Sequence, residues 1–113
     1  MSDYRRLKVW RLAHATRLSV YRATEGYPPD ERFGLVSQTR RSASSITANI
    51  AEGAGRSTRP EYLRFLSYAM GSTNETEDHL LLARDLNYLP VAEWETLAAN
   101  LVQIRSMLVG LRR

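Results

Sequence analysis

The chain has 113 residues, of which 43% are apolar and 25% charged, so it fits one globular domain over residues 1–113 and excludes a mainly disordered chain. It contains no cysteine, which excludes a disulfide framework, a thiolate zinc site and a cysteine nucleophile. The formal net charge is +4. Charges interrupt the N-terminal apolar residues, so we expect no signal peptide, and no apolar run approaches ~20 residues, so we expect no membrane span. We therefore expect a cytoplasmic location.

Turn-forming residues divide the chain into four segments with helical spacing of apolar residues. The turns fall at Gly26 to Pro29, at Gly53 to Gly55 and at Asn87 to Pro90. The helices are predicted over residues 5–24, 35–53, 58–88 and 90–111. Because the connections are short, consecutive helices should be antiparallel neighbours. The sequence therefore predicts an all-α fold, an antiparallel up-down four-helix bundle.

Predicted helix 1 carries two apolar stripes, which is more than one small bundle needs from one helix. The first stripe contains Leu7, Trp10, His14, Leu18 and Tyr21. The second contains Val9, Leu12, Ala13, Thr16 and Val20. Either this helix is unusually buried or its second stripe meets another subunit. The second stripe is therefore a candidate oligomer interface.

Predicted helix 2 is rich in small residues along its apolar stripe, which permits close approach of a neighbouring helix. Asn49 lies in this stripe and needs a hydrogen-bond partner if it is buried. Gly53 or Gly55 can supply the left-handed residue that often ends a helix. The following Arg56-Ser57-Thr58 precedes a helix N-terminus, an arrangement that can hold a phosphate. Turn and cap chemistry accounts for the same residue types, and we favour the turn.

Predicted helix 3 begins at a capping box, Thr58-Arg59-Pro60-Glu61. Its apolar stripe runs from Tyr62 to Ala83, and acidic residues line the opposite side. Predicted helix 4 has one apolar stripe made of Trp94, Leu97, Leu101, Ile104, Leu108 and Leu111.

The sequence offers no catalytic or metal-binding constellation. Neither His14 nor His79 has a glutamate three residues before it, as a di-iron bundle requires, and Glu75 with His79 fits a solvated acidic face better. No serine has a plausible base, and there is no nucleophile elbow or Walker-type loop. We therefore expect no enzymatic activity, no catalytic residues, no metal and no cofactor.

Charge is distributed unevenly along the chain. Residues 1–24 carry six bases and one acid, whereas residues 65–95 carry one base and six acids. Candidate nucleic-acid-binding residues lie around helix 2 and the start of helix 3: Arg40, Arg41, Arg56, Arg59 and Arg64. No aromatic residues interleave them, so base stacking is not evident. Salt bridges between subunits, involving the acidic stretch 75–95, explain these charges equally well.

Several segments resemble one known family. They are Leu7 to Trp10, Ala13-His14, Arg32 to Ala43, Ser45 to Arg56, Glu61 to Leu66, Gly71-Ser72 and Glu75 to Glu77. The family is the four-helix-bundle proteins associated with 23S ribosomal RNA intervening sequences, and Ala48 to Arg56 is the most specific match. Thr47 stands where the family commonly has proline, so helix 2 should be more regular here.

The resemblance implies a ring-like homo-oligomer, typically a pentamer. The family is also similar in fold to the accessory protein of diversity-generating retroelements, which assists a reverse transcriptase and its RNA. The resemblance implies no catalytic residues for this chain. We interpret the matching residues Asn49, Glu52 and Gly53 as a structural corner rather than a site.

The residues and the resemblance together predict a non-enzymatic, homo-oligomeric bundle that binds RNA or an RNA-handling protein. The alternative is a protein-binding adaptor or structural oligomer without a nucleic-acid role. In that alternative the basic and acidic stretches pair subunits. Under either function we expect no membrane partner.

Overall fold

The computed structural model describes residues 3–113, which form four α-helices without any β-strand in that range. The helices are α1 (Lys8–Thr24), α2 (Leu35–Ala54), α3 (Arg59–Asp85) and α4 (Val91–Leu111). Short 3-10 turns at Tyr4–Arg6 and Pro29–Glu31 precede α1 and α2. The predicted all-α fold and its four helices are confirmed.

The helices form an up-down bundle. Within the described residues, α1 lies next to α2 and α4, α3 also lies next to α2 and α4, and no Cα atoms of a diagonal pair come within 8 Å. Hydrogen bonds show that α2 and α3 run in opposite directions, because Ser42 pairs with Thr76 and Ser45 pairs with Ser72. The predicted four-helix bundle is therefore confirmed, with α2 and α3 antiparallel as expected.

Two helix ends differ from the predicted ones by three residues, for local reasons. The Asp3 carboxylate accepts the Arg5 N–H at 2.9 Å and holds a 3-10 turn, so α1 begins at Lys8. At the end of α3, Asn87 has a φ of 63° and the Tyr88 N–H reaches the Ala83 carbonyl at 2.9 Å. These are the bonds of a Schellman motif, and they end α3 at Asp85.

The glycine expected to end α2 in a left-handed conformation does not do so, and that prediction was wrong. Gly55 has a φ of −92°, and no glycine among the described residues has a positive φ. The N-terminus of α3 follows the prediction, because the Thr58 hydroxyl oxygen accepts the Glu61 N–H at 3.4 Å.

The core contains the stripe of helix 1 that was predicted to meet another subunit. Four members of this stripe are buried, with at most 3% of their surface exposed: Val9, Ala13, Thr16 and Val20. The fifth, Leu12, is partly buried and packs against the core. Of the two explanations for this stripe, burial within the chain is correct and the subunit interface is wrong, because these side chains are buried inside one chain. The other stripe lies further out, with Leu18 at 41% exposure.

The seam between α2 and α3 is lined by small hydroxyl side chains, as the sequence of helix 2 indicated. The Thr76 hydroxyl lies 2.8 Å from that of Ser42, and the Ser72 hydroxyl lies 2.9 Å from that of Ser45. The Asn49 amide donates to the carbonyl and hydroxyl oxygens of Ser45 at 2.9 and 3.0 Å. Its polar group is thus satisfied within its own helix.

In the described part of the chain, no helix combines the length and the apolar character needed to cross a membrane.

Candidate functional site

The five candidate arginines do not converge on one surface. Arg40 and Arg41 lie in the first half of α2, whereas Arg56, Arg59 and Arg64 surround the turn from α2 to α3. The axial rise from Arg41 to the end of α2 is about 20 Å at 1.5 Å per residue. The two groups must therefore be considered separately.

Arg40 is a packing residue between α1 and α2. Its Nε donates to the Thr24 hydroxyl at 2.8 Å, and one Nη donates to the Tyr21 carbonyl at 3.1 Å. Its guanidinium also lies 4.7 Å from the centroid of the Tyr21 ring. These contacts hold the C-terminal turn of α1, where a positive charge is favourable, and they fix the Arg40 guanidinium against that helix. Arg41 is exposed and belongs to no ion pair within residues 3–113.

Arg59 ties the start of α3 to the end of the chain. One of its Nη atoms donates to the carbonyl oxygens of Arg112 and Arg113, each at 3.2 Å. Cations at a helix C-terminus stabilise the helix by satisfying its last carbonyls. The candidate role of Arg59 in binding an external anion therefore competes with this internal one.

Arg56 and Arg64 lie over the ring of Phe65, at 4.6 and 5.6 Å from its centroid. Tyr68 meets the same ring edge-on at 5.5 Å and is 50% exposed. We call these four residues the arginine–aromatic cluster. The expectation that no aromatic residue interleaves the arginines was wrong. The available signal was the spacing on predicted helix 3, where Tyr68 follows Arg64 by four residues and Phe65 by three, so that it neighbours both.

The geometry of the α2–α3 corner positions this cluster. Gly53 is buried against Phe65, since a Cβ on Gly53 would stand 3.1 Å from the Phe65 Cβ. Glu52 is exposed and accepts a hydrogen bond from an Nη of Arg56 at 2.8 Å. Asn49 bonds only within α2 among the described contacts. The contacts of Asn49, Glu52 and Gly53 thus lie within the corner or against the cluster.

The other polar residues weighed in the sequence are engaged locally. His79 Nε2 lies 3.3 Å from a carboxylate oxygen of Glu75, one helical turn away. His14 stacks on Trp10 at 5.0 Å and lies 2.7 Å from an Nη of Arg17. No group of three or more potential metal ligands occurs among residues 3–113. The absence of enzymatic activity remains a prediction.

The ion pairs do not join the basic and acidic parts of the chain. All five ion pairs of residues 3–113 are local in sequence except the one between Arg105 and Glu77, at 3.0 Å. None connects a base of residues 1–64 with an acid of the stretch 75–95. The basic and acidic parts therefore do not neutralise each other within one chain.

The outward side of α4 is an apolar surface that sequence reasoning missed. Val91, Val102 and Val109 are exposed, Val102 at 55%. From Thr96 to Leu111 the helix has one charged residue, Arg105. An exposed helix face usually carries more charge. The small number of charged residues in this part of α4 was therefore the signal in the sequence for an apolar surface.

Comparisons with known proteins extend these findings. A family model described as 23S rRNA-intervening sequence protein matches residues 5–110. A crystal structure from Bacteroides thetaiotaomicron, described as a protein with unknown function from the S23 ribosomal protein family, is similar with a TM-score of 0.83 and 23% sequence identity. The similarity covers 93% of this chain and 98% of that one, so the two share a fold. A comparison with curated proteins gives no match.

Proposed function

Because the chain belongs to the 23S rRNA-intervening sequence protein family, we propose that it is a non-enzymatic, homo-oligomeric, cytoplasmic bundle that binds RNA. The subunit number we propose is the pentamer implied by the family resemblance. The observation that carries the RNA proposal is the arginine–aromatic cluster beside the α2–α3 turn.

The cluster combines the two kinds of contact that single-stranded RNA requires. Guanidinium groups bind phosphates in a bidentate manner and also stack on planar rings. Unpaired bases stack on aromatic side chains and on arginine planes. Arg56 and Arg64 are both held over Phe65, and Tyr68 offers an exposed ring next to them. The proposed ligand is therefore a loop, bulge or end of an RNA rather than a continuous duplex.

The test compares two double variants with the same change in charge. Arg56→Glu with Arg64→Glu changes the cluster, whereas Arg32→Glu with Arg41→Glu changes two exposed arginines elsewhere. At physiological salt, the first variant should bind single-stranded RNA at least about tenfold more weakly. Its logarithmic salt dependence should also fall by roughly 0.7 for each phosphate contact that is lost.

The control variant should change the affinity much less. Equal losses in both variants would indicate attraction to net charge alone, and unchanged binding in the first variant would remove the cluster as the site. Circular dichroism of both variants distinguishes these results from unfolding.

A second candidate function is a protein-binding adaptor or structural oligomer with no role for nucleic acid. It is supported by the charge distribution, because no ion pair within residues 3–113 joins the basic part to the acidic stretch 75–95. Under this alternative the purified protein has no excess absorbance at 260 nm, and the oligomer dissociates at high salt. A specific protein partner that survives nuclease treatment in a pull-down would favour it.

A further inference from the structure

The outward sides of α1 and α4 carry two exposed triplets of residues with reversed spacing. On α1 the triplet is Ala15, Leu18 and Arg22, and on α4 it is Glu95, Ala99 and Val102. Each spans two helical turns on one side of its helix, because the intervals are three and four residues. We call them the α1 triplet and the α4 triplet.

The two triplets lie at the same level of the bundle. Arg22 and Glu93 line one groove between α1 and α4, and Lys8 lines a second groove with Met107 and Leu111. Since α1 and α4 are antiparallel, these two levels fix the register between them. Arg22 is then level with Glu95, Leu18 with Ala99, and Ala15 with Val102.

At each level the two side chains are complementary. Arg22 and Glu95 have opposite charge, and neither belongs to an ion pair within residues 3–113. Leu18 is large where Ala99 is small, and Ala15 is small where Val102 is large. Alternation of large and small residues lets two helix faces interdigitate.

We propose that the α1 triplet of one copy packs antiparallel against the α4 triplet of a second copy. The two copies are related by a rotation about an axis parallel to the helices, which keeps both triplets at the same level. The proposal rests on the homo-oligomer proposed above and names the surfaces through which its copies meet. It assigns a partner to the exposed Leu18 and Val102 side chains, which are 41% and 55% exposed in the single chain. It also pairs Arg22, from the basic N-terminal part of one copy, with Glu95, from the acidic stretch of the next.

This contact is heterologous, because the two copies contribute different surfaces. Each copy in a pair therefore keeps one unused triplet, and the contact repeats until a ring closes or a filament grows. A contact of α4 with α4 across a two-fold axis would instead stop at a dimer.

The chain contains no cysteine, so engineered cysteines report contacts without interference. Leu18→Cys and Ala99→Cys are prepared as single variants and as a double variant, and each is oxidised gently. We expect the single variants to remain 12.9 kDa species on non-reducing gels. The double variant should give a ladder of covalent multimers, and a mixture of the two single variants should give one covalent dimer. Leu18→Cys with Ser106→Cys is the control, since those levels are too far apart for disulfide geometry.

Light scattering on the unmodified protein separates the possible failures. A multimer without cross-linking in the double variant would overturn this interface and leave the proposed oligomer standing. A disulfide dimer of Ala99→Cys alone would replace the heterologous contact with a two-fold one. A monomeric wild type would overturn both the interface and the oligomeric part of the proposed function, whatever the result for RNA.

A charge exchange provides a second readout that does not depend on oxidation. Arg22→Glu and Glu95→Arg, each alone, should shift the multimer toward the monomer at least tenfold in concentration. The two changes combined in one chain should restore assembly. Absence of restoration, with both single variants folded, would contradict the proposed pairing.

Discussion

Gly53 of α2 stands so close to Phe65 of α3 that a methyl group on Gly53 would lie 3.1 Å from the Phe65 Cβ. The contacted atom is next to the backbone, so α3 itself would have to move to make room. Gly53 thus sets the separation of the two helices at the corner where the arginine–aromatic cluster is built.

We expect Gly53→Ala to destabilise the protein by about 1 kcal/mol. Overpacking of a tight contact costs roughly 1–3 kcal/mol, and the gain in helix propensity offsets roughly 0.5–1 kcal/mol of it. Urea denaturation measures the free energy of unfolding. Gly71→Ala in α3 is the matched control, since a Cβ there meets nothing within 4 Å, and it should stabilise the protein by up to about 1 kcal/mol. Equal stabilisation by both changes would show that the corner is not tightly packed.

Arg40 and Arg41 are adjacent in sequence and should behave differently. Arg40→Met removes hydrogen bonds to Thr24 and Tyr21 and should lower the free energy of unfolding by about 1–2 kcal/mol. Arg41→Met changes an exposed side chain and should stay within about 0.5 kcal/mol of the wild type. Thermal unfolding of both variants is the measurement, and similar values would refute the packing role of Arg40.

Tyr27 should make the protein less stable at alkaline pH. Burial, with a smaller contribution from Glu93, raises the pKa of its hydroxyl from 10.0 to about 12. The unfolded chain therefore loses this proton at a lower pH than the folded chain. Stability is complete below pH 10 and falls as the pH rises from about 10 to 12, by on the order of 2 kcal/mol.

Tyr27→Phe should remove most of this alkaline loss. The Tyr27 hydroxyl is buried without a hydrogen-bond partner, so its removal should not destabilise the protein at neutral pH. Melting temperatures between pH 8 and 12 test both statements. A variant that keeps the wild-type slope would assign the loss to other groups.

The four helices could be predicted from the sequence because residues near each end mark where a helix begins or stops. Proline, glycine and the Thr58 cap mark helix boundaries without reference to the rest of the chain. The stripe of α1 that faces the core could not be predicted in this way. Periodicity shows which residues share one face of a helix, but it does not show which face the neighbouring helices cover. Val9 and Val20 were therefore named as candidates for a subunit interface although they are buried.

The candidate site was predictable only in part for a related reason. Arg56 and Arg64 could be named from charge, but their meeting over Phe65 depends on how α2 turns into α3. Arg40 could not be separated from the others, since its partners Thr24 and Tyr21 belong to another helix. Long-range contacts of this kind leave no mark in the local pattern of residues.

The exposed ring of Tyr68 gives the sharpest test of how the cluster binds RNA. If bases stack on it, Tyr68→Ala should weaken binding of a single-stranded oligonucleotide by about 1–3 kcal/mol. Binding of a continuous duplex should change little, because the bases of a duplex are already stacked on one another. Fluorescence anisotropy at fixed salt measures both affinities. Tyr68→Phe is the control, because it keeps the ring and should keep the affinity. If Tyr68→Phe weakened binding as much as Tyr68→Ala, the hydroxyl group would be responsible instead of the ring. Equal losses of affinity for the single strand and the duplex would exclude stacking.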